Sequence, residues 1–169
     1  INFVSGLDLS YERVKSGKAF FEKNNIRADH YIACDASNLP YADNSFDMVY
    51  THYCLEQVPF LAKKIIDEMI RISSKYIIIM EPSYEFSNKI TKHRILTKGF
   101  PILTSKHFQN KKSKIIYRNG IPFNRYDLFG EITVLEKLNK CEGKPVLRDP
   151  LTKKIISPNL GEILNFTQI

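Results

Sequence analysis

The stretch KYIIIMEP, residues 75–82, is a continuous apolar run rich in isoleucine. Such a run is typical of a strand that is buried on both faces of a parallel sheet. Immediately upstream, four apolar residues recur at helical spacing: Leu61, Ile65, Met69 and Ile72. This pattern predicts an amphipathic helix that packs on the sheet before the chain enters the strand.

The same alternation extends towards the N-terminus. The segments 2–8, 28–35 and 46–53 are apolar and predict three more strands. Between the first two, residues 11–24 have the spacing of a helix, with Ser10 as its N-cap. The resulting β-α-β-loop-β-α-β order predicts an α/β fold with a doubly wound, mostly parallel sheet.

The pattern changes after Pro82. Residues 85–98 predict a further helix, and residues 112–119 and 130–138 predict an antiparallel pair of strands at the sheet edge. Residues 139–169 are rich in turn formers and predict a small irregular C-terminal tail. We therefore expect an α/β domain over 1–138 and a tail over 139–169.

Composition narrows the function classes. The chain has 169 residues, and no apolar run reaches the roughly 20 residues that a transmembrane helix needs, so no membrane partner is expected. Its three cysteines, Cys34, Cys54 and Cys141, form no CxxC pair. This spacing predicts neither a disulfide framework nor a metal site, and it favours a reducing, cytoplasmic location.

Polar residues stand where the predicted strands end. Asp8 and Asp35 close the first two strands, and Thr51, His52 and Tyr53 close the third. In open α/β sheets, ligands bind outside the carboxyl ends of the strands. Asp8 on its own fits equally well a carboxylate that accepts both hydroxyls of a ribose and a carboxylate that only caps local amides.

Three segments in succession resemble the motifs of class I S-adenosylmethionine-dependent methyltransferases. They are GLDLSYERVKSGK, YIACDASNLPYADNSFDMVYTHYCLEQVP and KYIIIMEP. The family has an acid after its second strand, an acid with a small residue after its third, and a Leu-Pro-Phe-x-x-x-x-Phe-Asp segment. The last of these reads LPYADNSFD here. The resemblance covers roughly residues 3–82 and implies a Rossmann-like fold.

The resemblance also implies roles for particular residues. Asp8 would hold the ribose hydroxyls of S-adenosylmethionine, and Leu9 would line the adenine. Asp35 would accept from the adenine amino group, with the Ala36 N–H directed to a ring nitrogen. Residues Thr51, His52 and Tyr53 would lie beside the methionine part and the methyl group. No catalytic residue is assigned, because alignment of a good leaving group supplies most of the acceleration.

One family motif is missing from these residues. The strand and Gly-x-Gly turn that cradle the methionine moiety belong before Asp8, and Gly6 does not replace them because it lies inside the predicted strand. We therefore expect the methyltransferase-like domain to be N-terminally incomplete in these 169 residues.

Two other functions stay open at this point. A nucleotide-dependent oxidoreductase would use Asp8 on a ribose equally well, although DASNLPYADNSFD fits the methyltransferase pattern better. A degenerate methyltransferase-like domain could instead bind a partner or RNA through the basic region 89–125, which contributes to a net charge of +7. The favoured function is methyl transfer to an unidentified small-molecule acceptor. The oligomeric state is not determined by the sequence.

Overall fold

The computed structural model describes residues 3–122, 129–159 and 161–167. The chain divides into two compact units, Ile1–Ala42 with Pro145–Ile169, and Asp43–Lys144. The first unit contains a three-stranded sheet and the second a four-stranded sheet. Helices and parallel strands occur together, which confirms the predicted α/β class.

The first unit is built from three parallel strands and one helix. They are β1 (Ser5–Asp8), α1 (Tyr11–Lys23), β2 (His30–Ala33) and β7 (Ile163–Asn165). The strand order is β1-β2-β7, and both pairings are parallel. The predicted strands 2–8 and 28–35 are thus confirmed in shorter form, with residue 2 outside the described part of the chain.

Helix α1 begins and ends where the sequence predicts. The Ser10 Oγ accepts the Arg13 N–H at 3.4 Å, and Asn24 is the C-cap. The next residue, Asn25, has a φ of 54°, a left-handed conformation that asparagine tolerates better than most residues. Val14 of the helix packs with Tyr31 and Ala33 of β2 in the core of this unit.

The second unit carries the remaining elements. They are β3 (Phe46–His52), α2 (Ala62–Ile72), β4 (Ser73–Pro82), α3 (Lys89–Lys98), α4 (Ser105–Phe108), β5 (Ser113–Pro122) and β6 (Phe129–Lys137). The strand order is β3-β4-β6-β5. Strand β3 is parallel to β4, whereas β6 is antiparallel to both β4 and β5, as predicted for the edge pair.

Two helix starts differ from the predictions. Residues Pro59–Leu61 form a 3₁₀ turn, and α2 begins only at Ala62. Leu61, predicted on the apolar face, is 37% exposed because it lies in that turn, whereas Ile65, Met69 and Ile72 are buried. The helix predicted over 85–98 begins at Lys89, because the Asn88 side chain accepts the Thr91 N–H and caps it.

The C-terminal residues contribute a strand that the sequence did not predict. Residues Ile163–Asn165 form β7 and pair with Tyr31, Ile32 and Ala33 of β2. Upstream of β7, Leu147 forms an isolated bridge with Tyr41. Residues 145–169 are therefore grouped with the first unit, and the predicted division between 138 and 139 stays a prediction.

Replacing Gly143 by alanine is expected to destabilise the second unit. A Cβ at this position would lie 2.6 Å from the Asp47 nitrogen and 2.8 Å from the Phe46 carbonyl carbon, and backbone atoms cannot yield as a side chain can. We expect a loss of about 1–3 kcal/mol, as for other overpacked sites. Urea unfolding followed by circular dichroism measures it.

Gly17 provides the matched control for this substitution. It lies inside α1 with no atom within 4 Å of an added Cβ. Gly17→Ala should stabilise the protein by roughly 0.5–1 kcal/mol, because glycine is unfavourable inside a helix. The prediction is wrong if Gly143→Ala unfolds at the same urea concentration as the wild type. The backbone of residues 46–47 would then be able to move away from the added methyl group.

Candidate functional site

The carboxyl ends of β1 and β2 bring two of the predicted acids to one edge of the first sheet. Asp8 is the last residue of β1 and stands opposite Ala33, the last residue of β2. The Cys34 N–H donates to the Asp8 carbonyl oxygen at 3.0 Å, which extends the pairing by one step. Asp35 follows directly, so both carboxylates belong to the same sheet end.

The Asp8 carboxylate already has a local role. Its Oδ1 accepts the Ser10 N–H at 2.8 Å, and its Oδ2 lies 3.9 Å from the Arg13 guanidinium. The side chain is 39% exposed. An ionised carboxylate has about four acceptor positions, so these contacts leave capacity for a ligand's hydroxyl groups.

The neighbouring predicted residues are accessible. Leu9 is 62% exposed, and Asp35 is exposed with its Oδ1 accepting the Ser37 N–H at 2.7 Å. Ala36 is half-buried, and its N–H has no hydrogen-bond acceptor within the part of the chain that the structure describes. The first unit therefore offers free acceptor positions on two carboxylates, one free N–H and an exposed apolar side chain.

The other predicted site residues lie at the end of β3 in the second unit. Thr51 and His52 are its last residues and stand opposite Ile79 and Met80 of β4. Tyr53 follows with a φ of 55°, and its N–H donates to the Met80 carbonyl oxygen at 3.1 Å. An aromatic residue rarely adopts this left-handed conformation, so surrounding contacts must hold it there.

The strand end also holds a residue that the sequence analysis did not select. Glu81 of β4 is 1% exposed, and its carboxylate accepts three consecutive backbone N–H groups. The distances are 2.9 Å from Cys54, 3.1 Å from Leu55 and 3.3 Å from Glu56. Burial raises the pKa of Glu81 to about 7, although the three N–H donors act in the opposite direction. In the sequence, the only local signal for Glu81 is that an acid interrupts the apolar run IIIMEP.

The turn after β3 also carries Glu56. Its Oε1 accepts the Gln57 amide at 2.9 Å, and burial raises the pKa of its carboxyl group. The rings of His52 and Tyr53 lie 4.4 Å apart between centroids. Burial also raises the pKa of Tyr53, and the nearby Glu56 acts in the same direction. Ionisable side chains are thus concentrated in residues 52–56.

Cys34 and Gly6, which lie near the ends of β1 and β2, have structural rather than chemical roles. Cys34 is buried, which raises the pKa of its thiol to about 12 and makes it a small apolar residue at neutral pH. Gly6 lies in β1 with no atom within 4 Å of an added Cβ, so it forms no close cradle. Among the described residues, no group of three or more His, Cys, Asp or Glu side chains could hold a metal ion.

The basic region 89–125 spans α3, α4 and β5, with residues 123–125 outside the described part. Arg118 within it is committed to an internal ion pair with Glu131 at 2.7 Å. A cavity of about 420 Å³ opens at residues 108–111 and 113–115 and includes none of the predicted site residues.

The N-terminal part of the chain is similar to a known protein family. Residues 2–75 match the family model described as a methyltransferase domain. Over these residues, a little under half of its length, the chain is similar to methyltransferases. The resemblance stated from the sequence motifs is thereby confirmed.

One curated relative of the family is norajmaline N-methyltransferase from Rauvolfia serpentina. It is 36% identical over 84 residues, which are 49% of this chain and 28% of that protein. The aligned part therefore spans less than a third of this relative's length.

Solved methyltransferases share the fold. An S-adenosylmethionine-dependent methyltransferase from Methanosarcina mazei superposes with a TM-score of 0.67 at 18% identity, over 81% of this chain and 82% of its own. Geranyl diphosphate methyltransferase, solved in complex with S-adenosylmethionine, gives 0.58 at 8% identity over 80% and 69%. At these identities the likeness establishes the Rossmann-like methyltransferase fold, as predicted.

Helix length bears on a membrane association. None of the helices in residues 3–122, 129–159 and 161–167 is long and apolar enough to cross a membrane.

Proposed function

We propose that the protein transfers a methyl group from S-adenosylmethionine to a small-molecule acceptor. The observation that carries the proposal is the pair of neighbouring parallel strands β1 and β2, which place Asp8 and Asp35 at one sheet end within the family-matched region. The sequence motifs that carry the resemblance overlap the family match over residues 3–75.

The residues of the first unit suit the adenosine part of this cofactor. We propose that Asp8 accepts the ribose hydroxyls and that Leu9 covers one face of the adenine. Asp35 would accept from the adenine amino group, with the free Ala36 N–H donating to a ring nitrogen. The remaining acceptor positions on both carboxylates and the exposure of Leu9 support these roles.

A second set of residues is proposed for the methionine part. We propose that Thr51, His52 and Tyr53 contact it beside the methyl group. When bound, the cofactor would supply an electrophilic methyl carbon for transfer to the acceptor. The task of these side chains is then to orient the acceptor and exclude water rather than to ionise it. No residue is proposed as a catalytic base.

The name of the curated relative indicates which class of acceptor atom to test. The curated relative is named as an N-methyltransferase, which makes a nitrogen nucleophile the first acceptor class to test. The cytoplasmic location predicted from the cysteine pattern stays a prediction.

Calorimetry with two ligands tests the proposed cofactor. We expect the intact protein to bind S-adenosylhomocysteine and to bind no NAD. Asp35→Ala should weaken S-adenosylhomocysteine binding by about 10-fold, because one charge-assisted hydrogen bond is worth roughly 1.5 kcal/mol or more. Binding of NAD alone would favour the oxidoreductase alternative. Salt-dependent binding of RNA with no nucleotide binding would favour the degenerate domain.

A further inference from the structure

The turn that follows β3 is held by one edge of β4. The N–H groups of four consecutive residues, Tyr53 to Glu56, all donate to Met80 or Glu81. The last three donors open the 3₁₀ turn Leu55–Gln57, whose first N–H groups have no partner inside the turn. The Glu81 carboxylate therefore replaces the partners that this helical turn lacks.

Glu81 is held by these N–H groups rather than by a cation. Among the described residues it forms no ion pair. Its neighbour across the antiparallel pair of β4 and β6 is Glu131, whose carboxylate accepts from Arg118, Ser83 and Thr133. The Glu131 carboxylate is thus committed to its own partners, whereas Glu56 lies on the turn itself.

The same contacts flank Tyr53, whose backbone is left-handed. A left-handed backbone costs an aromatic residue about 1–2 kcal/mol, so it persists only while the flanking bonds require it. Tyr53 is followed directly by the three N–H groups that Glu81 accepts. Loss of the carboxylate would free those groups and allow Tyr53 and the adjacent His52 ring to move.

We propose that Glu81 is the positioning residue that holds the turn 53–57 so that His52 and Tyr53 face the methionine part of the cofactor. This inference rests on the proposed function. Glu81 itself touches neither cofactor nor acceptor, and it acts through the backbone of the turn.

Burial of Glu81 raises the pKa of its carboxyl group and makes this hold sensitive to pH. Glu56 on the turn opposes its ionisation, and Glu131 on β6 is paired with Arg118. Arg94 on α3 and His52 act on Glu56 rather than on Glu81. Because the folded-state pKa lies near 7, above the ordinary value of 4.5, the folded protein binds more protons than the unfolded chain between these values. Stability should therefore fall as the pH rises from about 5 to about 7.

Backbone NMR reports directly on the hydrogen bonds between the turn and the Glu81 carboxylate. We expect the amide proton shifts of Cys54, Leu55 and Glu56 to follow one titration with a midpoint near 7 as the carboxylate ionises. Glu81→Gln should abolish this titration. The matched control is Ile77→Val, a change at a fully buried position of the same strand that lowers stability by about 0.5–1.5 kcal/mol without touching the turn. The control should retain the titration.

The affinities of two ligands test whether the turn affects cofactor binding. Glu81→Gln should bind S-adenosylhomocysteine about 10-fold or more weakly, because a small displacement of contacting groups is costly. Adenosine lacks the methionine part, and its affinity should change by less than about 2-fold. Ile77→Val should leave both affinities unchanged.

The outcomes separate the two proposals. An amide titration that persists in Glu81→Gln, or a Glu81→Gln variant that binds S-adenosylhomocysteine like wild type, overturns the role of Glu81. Equal weakening of both ligands also overturns it, because the effect would then be a general loss of structure. A wild-type protein that binds neither ligand overturns the proposed function itself.

Discussion

Replacing Asp8 by alanine is expected to lower the affinity for S-adenosylhomocysteine by about 100-fold or more. The proposed role gives its carboxylate two ribose hydroxyl donors, and each hydrogen bond to a charged group is worth roughly 1.5–3 kcal/mol. Loss of both amounts to about 3 kcal/mol or more, and each 1.4 kcal/mol is tenfold in affinity. Isothermal titration calorimetry on the intact protein measures the change.

The control must account for the second role of Asp8. Its Oδ1 accepts the Ser10 N–H at 2.8 Å where α1 begins, so alanine also removes a local cap. Ser10→Ala removes the other cap of that helix, the 3.4 Å bond to the Arg13 N–H, and leaves the carboxylate in place. It should lower stability by about 1 kcal/mol with unchanged ligand affinity.

Two results would contradict the assignment of Asp8. One is an Asp8→Ala variant that binds S-adenosylhomocysteine within a few-fold of wild type. The other is a Ser10→Ala variant that loses binding to the same extent, since the effect would then come from the helix start. Either result would leave Asp8 as a strand-end acid that caps local amides.

Strands β1, β2 and β4 could be predicted because their signals are local. The run KYIIIMEP became β4, and the acids at 8 and 35 marked the ends of two strands that pair in parallel. Strand β7 could not be predicted in the same way. It has three residues, ILN, too few for an alternating or continuous pattern, and it exists because β2 offers its edge.

Glu81 shows a different limit of sequence reasoning. An acid just before Pro82 is compatible with a solvated strand end, and nothing local distinguishes that from a buried carboxylate. Its role depends on the segment 54–56, which lies 25–27 residues away along the chain and directs its N–H groups to the strand end. The exposure of Leu61 has a related cause. The residue lies in the 3₁₀ turn Pro59–Leu61 and is therefore outside the apolar face of the helix that follows.

Removing Glu131 is expected to have the largest effect on stability of the changes considered. The residue is fully buried, and its carboxylate accepts two bonds from Arg118, at 2.7 and 3.2 Å. The Ser83 and Thr133 hydroxyls donate to it at 2.8 and 3.0 Å. Alanine would leave these donors without their acceptor inside the second unit.

The expected loss for Glu131→Ala is about 3–5 kcal/mol, the usual effect of removing one partner of a buried ion pair. Arg118 would keep its 2.7 Å contact with Glu85, but that carboxylate is 57% exposed and compensates poorly for a buried charge. Urea unfolding of the variant, followed by circular dichroism, gives the free energy of unfolding. A marginally stable domain could lose much of its folded population through this change.

Glu136→Ala is the matched control because it removes a carboxylate from the same strand. Glu136 pairs with Lys114 at 3.1 Å and Lys140 at 2.5 Å at the surface, where solvent screens the interaction, so its loss should shift the unfolding midpoint far less. Replacing the buried pair together, as Arg118→Met with Glu131→Leu, should recover most of the lost stability, because no uncompensated charge then remains inside. If the double variant is no more stable than Glu131→Ala, the cost lies in the hydroxyl donors of Ser83 and Thr133 rather than in the charge of Arg118.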